Sequence, residues 1–479
     1  MKVDNRYKNL INNTKIFAVG NIVAKLSQYV IIALCTYKLT TDEFGISETI
    51  IQTCAMLVPI FSADIAEGLF RFSMDKNYTR EQIISNSMLI NVFGTIIALI
   101  AIPIEYYFAQ SIRIPIYITI LTLFELYQVS IKELVRGLGL TKVYMVSGFV
   151  NAIAQVLSCI LFIYIFDLGI TGYILAIATA FACEILYCSR KVSVNHYIRI
   201  SAISKSTLKD LLKYSLPLAP NKIMWWIISA SDRYFVLWLI SASATGLYAV
   251  AAKFPALITI VVGFFFQAWQ ISAIENSETD ERDQFFSKIF NMLWSTIGVM
   301  TAFVIVFIRF VVKLLVSEDF FSSWEYAPFL LVAAAFSAIQ SFLGVNYTIA
   351  KDSLGALKST TLAAICNLVL NYILIKNIGI QGATIATLVS YLVVSIYRYI
   401  DTKKYVNIEI EKKIGMIITY ATIIIECCII ALFPNLYFIS VLGLIIVIIA
   451  NLKMLRTSIH YLKSIIGKRR KHRNEGINS

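Results

Sequence analysis

The sequence predicts an all-α integral membrane protein with about 14 transmembrane helices, arranged as two six-helix bundles of parallel repeats and a C-terminal helix pair. Of its 479 residues, 58% are hydrophobic and 15% are charged, whereas soluble domains average about 45–50% and about 25%. The apolar residues form blocks of about twenty, the length that crosses a bilayer as a helix. Positive residues alternate between successive loops, as expected for a chain that crosses the membrane repeatedly.

Fourteen apolar segments account for the predicted spans. They lie approximately at 16–37, 44–71, 83–109, 114–135, 143–166, 170–189, 213–240, 246–273, 287–316, 327–350, 358–376, 380–400, 413–433 and 436–456. The eight cysteines lie almost entirely inside these blocks, and no C-x-x-C pair occurs. With only three histidines in the chain, we expect no metal site and no cofactor.

Loop charge gives the orientation. Of the 42 Lys and Arg residues, four lie deep inside spans and only five lie in or near predicted outer loops, namely Lys38, Arg113, Arg309, Lys313 and Lys376. The others gather at the termini and in alternate loops. Because positive loops stay in the cytoplasm, we expect both termini there. Positive residues on the cytoplasmic side set the orientation of the chain and attract anionic lipid headgroups. These two roles explain the net charge of +13 without a nucleic-acid partner.

Three pairs of segments indicate an internal duplication. In order along the chain, KLTTDEFGISETI (38–50) parallels LISASATGLYAVA (239–251), LTKVYMVSGFVN (140–151) parallels ALKSTTLAAICN (356–367), and FDLGITGYILA (166–176) parallels KNIGIQGATIA (376–386). The first pair aligns Gly45 with Gly246. Since each half has six spans, both copies enter the membrane in the same direction, and a substrate path between such repeats is expected.

The duplication predicts the domain boundaries. We expect an N-terminal six-helix bundle at 1–200, a C-terminal bundle at 201–405, an accessory helix pair at 406–460 and a basic cytoplasmic tail at 461–479.

The seventh span carries a polar edge. Lys222 and Arg233 are eleven positions apart and differ by about 20° in direction on a helix, with Trp226 and Ser229 on the same stripe. Asp232 points about 80° away from Lys222 and is expected to anchor to a neighbouring helix. A charge at mid-bilayer costs about 2.5–3.5 kcal/mol on insertion scales, so such side chains face a cavity or a partner.

Other spans contribute matching charges. Lys25 shares a face of the first span with Asn21 and Gln28, and Lys253 lies in the eighth span. Lys25, Lys222, Arg233 and Lys253 together predict a wet cavity that binds an anion, with Asn21, Gln28, Ser229 and Asp232 as supporting polar groups. Asp64 and Glu67 in the second span and Glu125 in the fourth are candidates for ion coupling. The alternatives are interfacial or structural ion pairs for the three acids and snorkelling for Lys25 and Lys253.

Residues 214–258 carry a family resemblance. L-P-L-x-P precedes the seventh span, S-D-R-Y lies within it, and G-L-Y-x-x-A-x-K enters the eighth; G-N-I-x-x-K and L-T-x-x-E-F-G occur at 20–45. These motifs resemble those of the polysaccharide flippases, which belong to the multidrug/oligosaccharidyl-lipid/polysaccharide exporter (MOP) superfamily. Many members have twelve spans, whereas fourteen are predicted here.

The resemblance implies a function. It implies alternating access that turns an undecaprenyl-diphosphate-linked oligosaccharide from the cytoplasmic to the outer leaflet of the bacterial cytoplasmic membrane, for cell-surface polysaccharide. Arg233 and Lys253 would contact the diphosphate, with Lys25 from the first bundle. The partners would be membrane lipids and other polysaccharide-assembly proteins. No G-x-x-x-x-G-K-[ST] sequence occurs, so H⁺ or Na⁺ gradients, or consumption of the product outside, are the expected energy sources.

Two other functions stay open at the level of sequence. A cation-coupled drug antiporter of the same superfamily would need carboxylates to outnumber cations in the central spans. A membrane polysaccharide polymerase or glycosyltransferase would need a large outer loop with catalytic residues, and the outer loops here are short. We therefore expect a transporter rather than an enzyme.

Overall fold

A computed structural model describes residues 27–75, 77–275, 281–454 and 456, which contain helices and no strand. In chain order the α-helices are α1 (Ser27–Thr36), α2 (Thr41–Phe61), α3 (Ile65–Phe72), α4 (Arg80–Ala109), α5 (Arg113–Gly137), α6 (Thr141–Cys159), α7 (Gly169–Val192), α8 (Val194–Tyr197), α9 (Lys205–Ser215), α10 (Ala219–Leu239), α11 (Ala242–Ala251), α12 (Ala256–Glu275), α13 (Arg282–Leu315), α14 (Ala327–Ile349), α15 (Ser353–Ile378), α16 (Ile380–Asp401), α17 (Lys413–Leu432) and α18 (Ile439–Met454). The all-α fold class is confirmed.

The helices agree with the predicted spans. Eleven helical segments in the described ranges are long and apolar enough to cross a membrane, and α1 and α18 are shorter apolar helices. The seventh predicted segment is α10, which carries three charged side chains, Lys222, Asp232 and Arg233. Each predicted segment thus coincides with helical structure, although the first lies partly outside the described residues. The protein is a multi-pass membrane protein.

The second predicted span is not one continuous helix. Pro59 lies in the last turn of α2, where a proline removes a backbone hydrogen bond and favours a bend. Ala63 and Asp64 follow with φ of 49° and 54°, in the left-handed region that side chains other than glycine seldom adopt, and α3 starts at the next residue. Non-helical backbone at membrane depth occurs where it is buried in protein or lines a water-filled cavity. A cavity or a buried polar site is therefore expected beside this break.

The eighth predicted span is also divided. Residues between α11 and α12 form a turn that contains Lys253 and Pro255. Pro255 has no N–H to continue the α-helical hydrogen bonds, and the backbone here makes shorter i→i+3 bonds, such as Ala256 N to Lys253 O at 3.2 Å. Lys253 therefore lies at a backbone break rather than in the middle of a regular helix.

The starts of α2 and α11 pack together closely at two glycines. A Cβ on Gly45 would clash with Ala242 O and would lie 2.7 Å from Gly246 N, and a Cβ on Gly246 would clash with Thr41 O. The Oγ1 of Thr41 and the Oγ of Ser243 are 2.6 Å apart, within hydrogen-bond distance. Only residues without a side chain allow the two backbones to approach this far.

The described residues group into two compact units. One lies within Met1–Val250 and Leu315–Phe321, and the other within Ala251–Leu314 and Ser322–Ser479. The predicted domain boundaries at 200/201 and 405/406 stay predictions, and residues 461–479 lie outside the described part of the chain.

The first unit contains a buried carboxylate hub on helices α5, α6 and α7. The carboxylate of Glu184 accepts hydrogen bonds from Gln128 Nε2 at 2.7 Å and Ser147 Oγ at 2.9 Å, and it pairs with Lys132 Nζ at 3.0 Å. A buried charge is tolerated when it is paired and hydrogen-bonded in this way.

The second unit contains a corresponding hub on α14, α15 and α16 with the opposite charge. The guanidinium of Arg398 donates to Gln340 Oε1 at 2.6 Å, Ser359 Oγ at 2.9 Å and Thr360 Oγ1 at 3.1 Å. It fills space left by Gly344, where a Cβ would lie 3.5 Å from the guanidinium carbon.

Each hub holds its buried charge with one glutamine and one serine from its first two helices, Gln128 and Ser147 in the first unit and Gln340 and Ser359 in the second. Such a recurrence is what a duplicated chain predicts.

Candidate functional site

Lys222 on α10 is held by two carboxylates from the second span. Its Nζ lies 2.8 Å from Asp64 Oδ1 and 3.0 Å from Glu67 Oε1. Asp64 is the residue at the break before α3, and Glu67 lies in the first turn of that helix. The Asp64 side chain is 4% exposed, whereas that of Lys222 is 40% exposed. The structure thus joins a predicted anion-binding lysine to two predicted coupling acids.

A cavity of about 170 Å³ adjoins this ion pair. Its polar lining comes from Asp64, Lys222, Glu125, Ser62 and Ser130, and apolar residues of α2, α3 and α5 form the rest. Asp64 Oδ2 is buried with no hydrogen-bond partner among the described residues. A volume of this size exceeds the roughly 10–15 Å³ that one water needs. The cavity can hold a small polar ligand with water.

Arg233 lies on the same helix as Lys222, eleven residues further along, and its side chain is buried with few polar contacts. Its Nη1 donates to Ser229 O at 3.1 Å, and its guanidinium lies 5.8 Å from the ring centroid of Tyr248. Asp232 Oδ1 is 3.9 Å from Nη1, and the other oxygen of Asp232 accepts from the Tyr248 hydroxyl. Arg233 Nε is buried and has no partner in the described ranges. The prediction that Asp232 anchors to a neighbouring helix agrees with its bond to Tyr248 on α11.

The remaining predicted residues are placed as follows. Lys25 and Asn21 lie outside the described residues. Gln28 is exposed on α1, and Ser229 is exposed with its hydroxyl donating to Trp225 O at 2.8 Å. Lys253 is half-buried in the turn between α11 and α12. The grouping of four cations into one site stays a prediction.

Sequence reasoning missed the two buried hubs of Glu184 and Arg398. Both side chains are buried, and each lies inside a predicted span. An isolated charge within an apolar segment was the signal that could have found them.

Nothing in the described part of the chain indicates a metal centre of the usual kind. No group of three or more His, Cys, Asp or Glu side chains there is placed to hold a metal ion.

Comparison with known proteins gives the family. The profile of the polysaccharide biosynthesis protein family matches residues 10–270, which is more than half of the chain. No curated protein sequence matches.

Solved structures give the fold. An inward-facing multidrug resistance MATE transporter of the MOP superfamily superposes with a TM-score of 0.65 at 14% identity, covering 80% of this chain and 94% of the other. The lipid II flippase MurJ gives 0.64 at 14% identity, with 95% and 100% covered. A Vibrio cholerae MATE transporter gives 0.56 at 17% identity, with 83% and 96% covered. The chain belongs to the polysaccharide biosynthesis protein family and has the fold of MOP-superfamily transporters, which confirms the resemblance to polysaccharide flippases.

Proposed function

We propose that this protein flips an undecaprenyl-diphosphate-linked oligosaccharide from the cytoplasmic to the outer leaflet of a bacterial cytoplasmic membrane. Alternating access moves the substrate, both termini are cytoplasmic, and the chain acts as a transporter rather than an enzyme. Its family is named for polysaccharide biosynthesis, and one protein of the same fold is named a lipid II flippase. The glycan serves cell-surface polysaccharide assembly alongside other proteins of that pathway.

The observation that carries this proposal is the buried guanidinium of Arg233. Its Nε has no partner in the described ranges, and its ion pair with Asp232 is long, with 3.9 Å between Nη1 and Oδ1, while the other Asp232 oxygen accepts from the Tyr248 hydroxyl. Arginine binds phosphate oxygens with a planar fork of N–H donors. An unsatisfied donor on a buried arginine costs free energy until an acceptor arrives, and a diphosphate supplies such acceptors.

The other predicted residues take roles in the same proposal. Lys253, Lys25 and Lys222 are the further cations for the diphosphate, with Asn21, Gln28, Ser229 and Asp232 in support. Asp64, Glu67 and Glu125 couple transport to H⁺ or Na⁺. Lys222 is already paired with two of these acids, so its contact with a diphosphate requires that this pair opens.

The test is export of the polysaccharide by cells in which this protein is the sole flippase. Arg233→Ala is expected to reduce surface polysaccharide at least tenfold and to accumulate the lipid-linked precursor inside, while Arg233→Lys keeps part of the activity because it retains the charge. Arg80→Ala is the matched control, since Arg80 is exposed. Full export by an Arg233→Ala protein at wild-type abundance would show that the arginine does not bind the diphosphate.

One observation favours a second candidate, a cation-coupled drug antiporter. Asp64 and Glu125 line the cavity beside Lys222, and Glu67 contacts the lysine, so three carboxylates outnumber one ammonium, the balance that a cationic drug requires. Efflux of a cationic dye that depends on Asp64, combined with undisturbed polysaccharide in a deletion strain, would favour the antiporter. A polymerase or glycosyltransferase would instead make polymer as a purified protein.

A further inference from the structure

Lys222 occupies a place built for a cation. Its ammonium group contacts one oxygen of Asp64 and one of Glu67, at 2.8 Å and 3.0 Å. The lysine comes from α10, while both acids belong to the second span, 158 and 155 positions earlier. Two carboxylates at one small cation make a strong site, because each alone would be costly to bury. The Lys222 ammonium thus occupies the cation site that the two carboxylates form.

Asp64 also faces a cavity with room for a second cation. Asp64 Oδ2, which Lys222 does not use, is buried and has no hydrogen-bond partner in the described part of the chain. It lines the cavity of about 170 Å³, together with Glu125, Ser62 and Ser130. A buried carboxylate oxygen without a partner costs free energy until a proton or a metal ion binds to it. The unpartnered oxygen and the cavity therefore point to a ligand, independently of the ion pair.

The backbone break positions Asp64 for this role. Ala63 and Asp64 both adopt the left-handed conformation, which turns the chain between α2 and α3. Strain of this kind persists where the surroundings stabilise it, and it is concentrated at functional sites. Here the turn directs one carboxylate towards both α10 and the cavity.

The charge balance selects the type of ligand. The charged groups at Asp64 and its cavity are Glu67 on α3, Glu125 on α5 and Lys222 on α10. Glu133 on α5 interacts with Glu67 and Lys222 and is paired with Arg136 at 3.0 Å. Acids exceed bases in this set, so an added positive charge is favoured. Since no three acidic, histidine or cysteine side chains in the described ranges form a metal cluster, a monovalent ion fits better than a divalent one.

We propose that a monovalent cation, Na⁺ or H⁺, binds Asp64 at this cavity and displaces the Lys222 ammonium, so that Lys222 is a tethered competitor that sets the affinity of the site. Na⁺ at Asp64 repels the nearby ammonium, and a proton on Asp64 cancels the carboxylate charge that attracts it, so either ion weakens the pair in a partly desolvated site. Occupation by the ion releases Lys222 from Asp64, and return of Lys222 expels the ion. This inference rests on the proposed coupling role of Asp64 and Glu67, and it requires nothing about the transported lipid.

The experiment measures cation binding to the full-length protein in lipid nanodiscs, without any lipid-linked sugar. Tryptophan fluorescence reports on the site, because Trp225 and Trp226 are within one turn of Lys222 and Trp226 Nε1 donates to Gln52 O at 2.8 Å. One arm titrates Na⁺ at constant pH and ionic strength with choline as the balancing ion. The other arm titrates pH without Na⁺. A saturable Na⁺ response identifies Na⁺, and a response to pH alone identifies the proton.

Two substitutions of Lys222 have opposite expected effects. Lys222→Gln removes the competitor and is expected to tighten cation binding about tenfold, within the range of typical coupling between sites. Lys222→Arg pairs more firmly with carboxylates and is expected to weaken binding. Asp64→Asn abolishes the response, and Lys142→Gln, which alters an exposed lysine, leaves it unchanged.

The outcomes separate this inference from the proposed function. It is overturned if neither Na⁺ nor pH produces a response that Asp64→Asn removes, or if Lys222→Gln leaves the affinity equal to or weaker than that of the wild type. If Lys222→Gln does not fold, the weaker binding expected of Lys222→Arg still decides the matter. Full export by the Arg233→Ala protein would refute the proposed binding of the lipid diphosphate and would not affect the cation-binding results.

Discussion

The contact between Gly45 and Gly246 allows a quantitative prediction. A Cβ on Gly45 would lie 2.7 Å from Gly246 N and 3.1 Å from the carbonyl carbon of Ala242. Atoms of this kind pack best at about 3.5–4.0 Å, so α2 and α11 must separate by about 0.8 Å or more. The obstructing atoms are backbone, which cannot rotate away as a side chain would. Overpacking of this type destabilises by about 1–3 kcal/mol, so we expect Gly45→Ala to lower the unfolding free energy by this amount.

The assay is thermal unfolding of the purified protein in detergent, followed by tryptophan fluorescence, with the surface polysaccharide of cells as a second readout. Gly148→Ala is the matched control, because a Cβ on this glycine in α6 meets nothing within 4 Å. It removes backbone entropy from the unfolded chain and is expected to be neutral or to stabilise by up to about 1 kcal/mol. Equal unfolding temperatures for Gly45→Ala and the wild type would refute the close packing of the two helices.

Two further predictions concern the second compact unit. Gly344→Ala places a methyl group against the buried guanidinium of Arg398, so we expect a lower unfolding temperature than in the wild type and a smaller loss for Gly344→Ala combined with Arg398→Lys. Glu426 on α17 is buried with neither carboxylate oxygen hydrogen-bonded in the described ranges, and Glu426→Met is expected to raise the unfolding free energy by about 1–3 kcal/mol. A loss of stability in Glu426→Met would mean that the carboxyl group has a stabilising partner.

Much of the fold could be predicted from the sequence because membrane spans are encoded locally. Twenty successive apolar residues satisfy their backbone hydrogen bonds within one helix, whatever the neighbouring helices do. The fourteen predicted segments accordingly coincide with helices, and charge in the loops predicts their direction. The breaks at Asp64 and Lys253 were not predicted, since both apolar stretches continue across them and a nearby proline was the only local signal.

The candidate site shows where prediction from the sequence ended. Helical geometry groups Lys222 with Arg233, and the acids Asp64 and Glu67 with each other, because each pair shares one segment. The ion pair between these groups joins residues 158 and 155 positions apart, a distance over which periodicity carries no information.

The sequence by itself determined the class of the protein, its spans, its internal repeat and the residues that are costly to place in a bilayer, because hydrophobic length and charge act through the surrounding lipid and water. Only the tertiary structure decided which of those charges neutralise one another. It pairs Lys222 with two acids and Glu184 with Lys132, and it surrounds Arg398 with neutral hydrogen-bond acceptors. Electrostatic compensation depends on distances of a few ångströms between helices, and helix packing alone sets those distances.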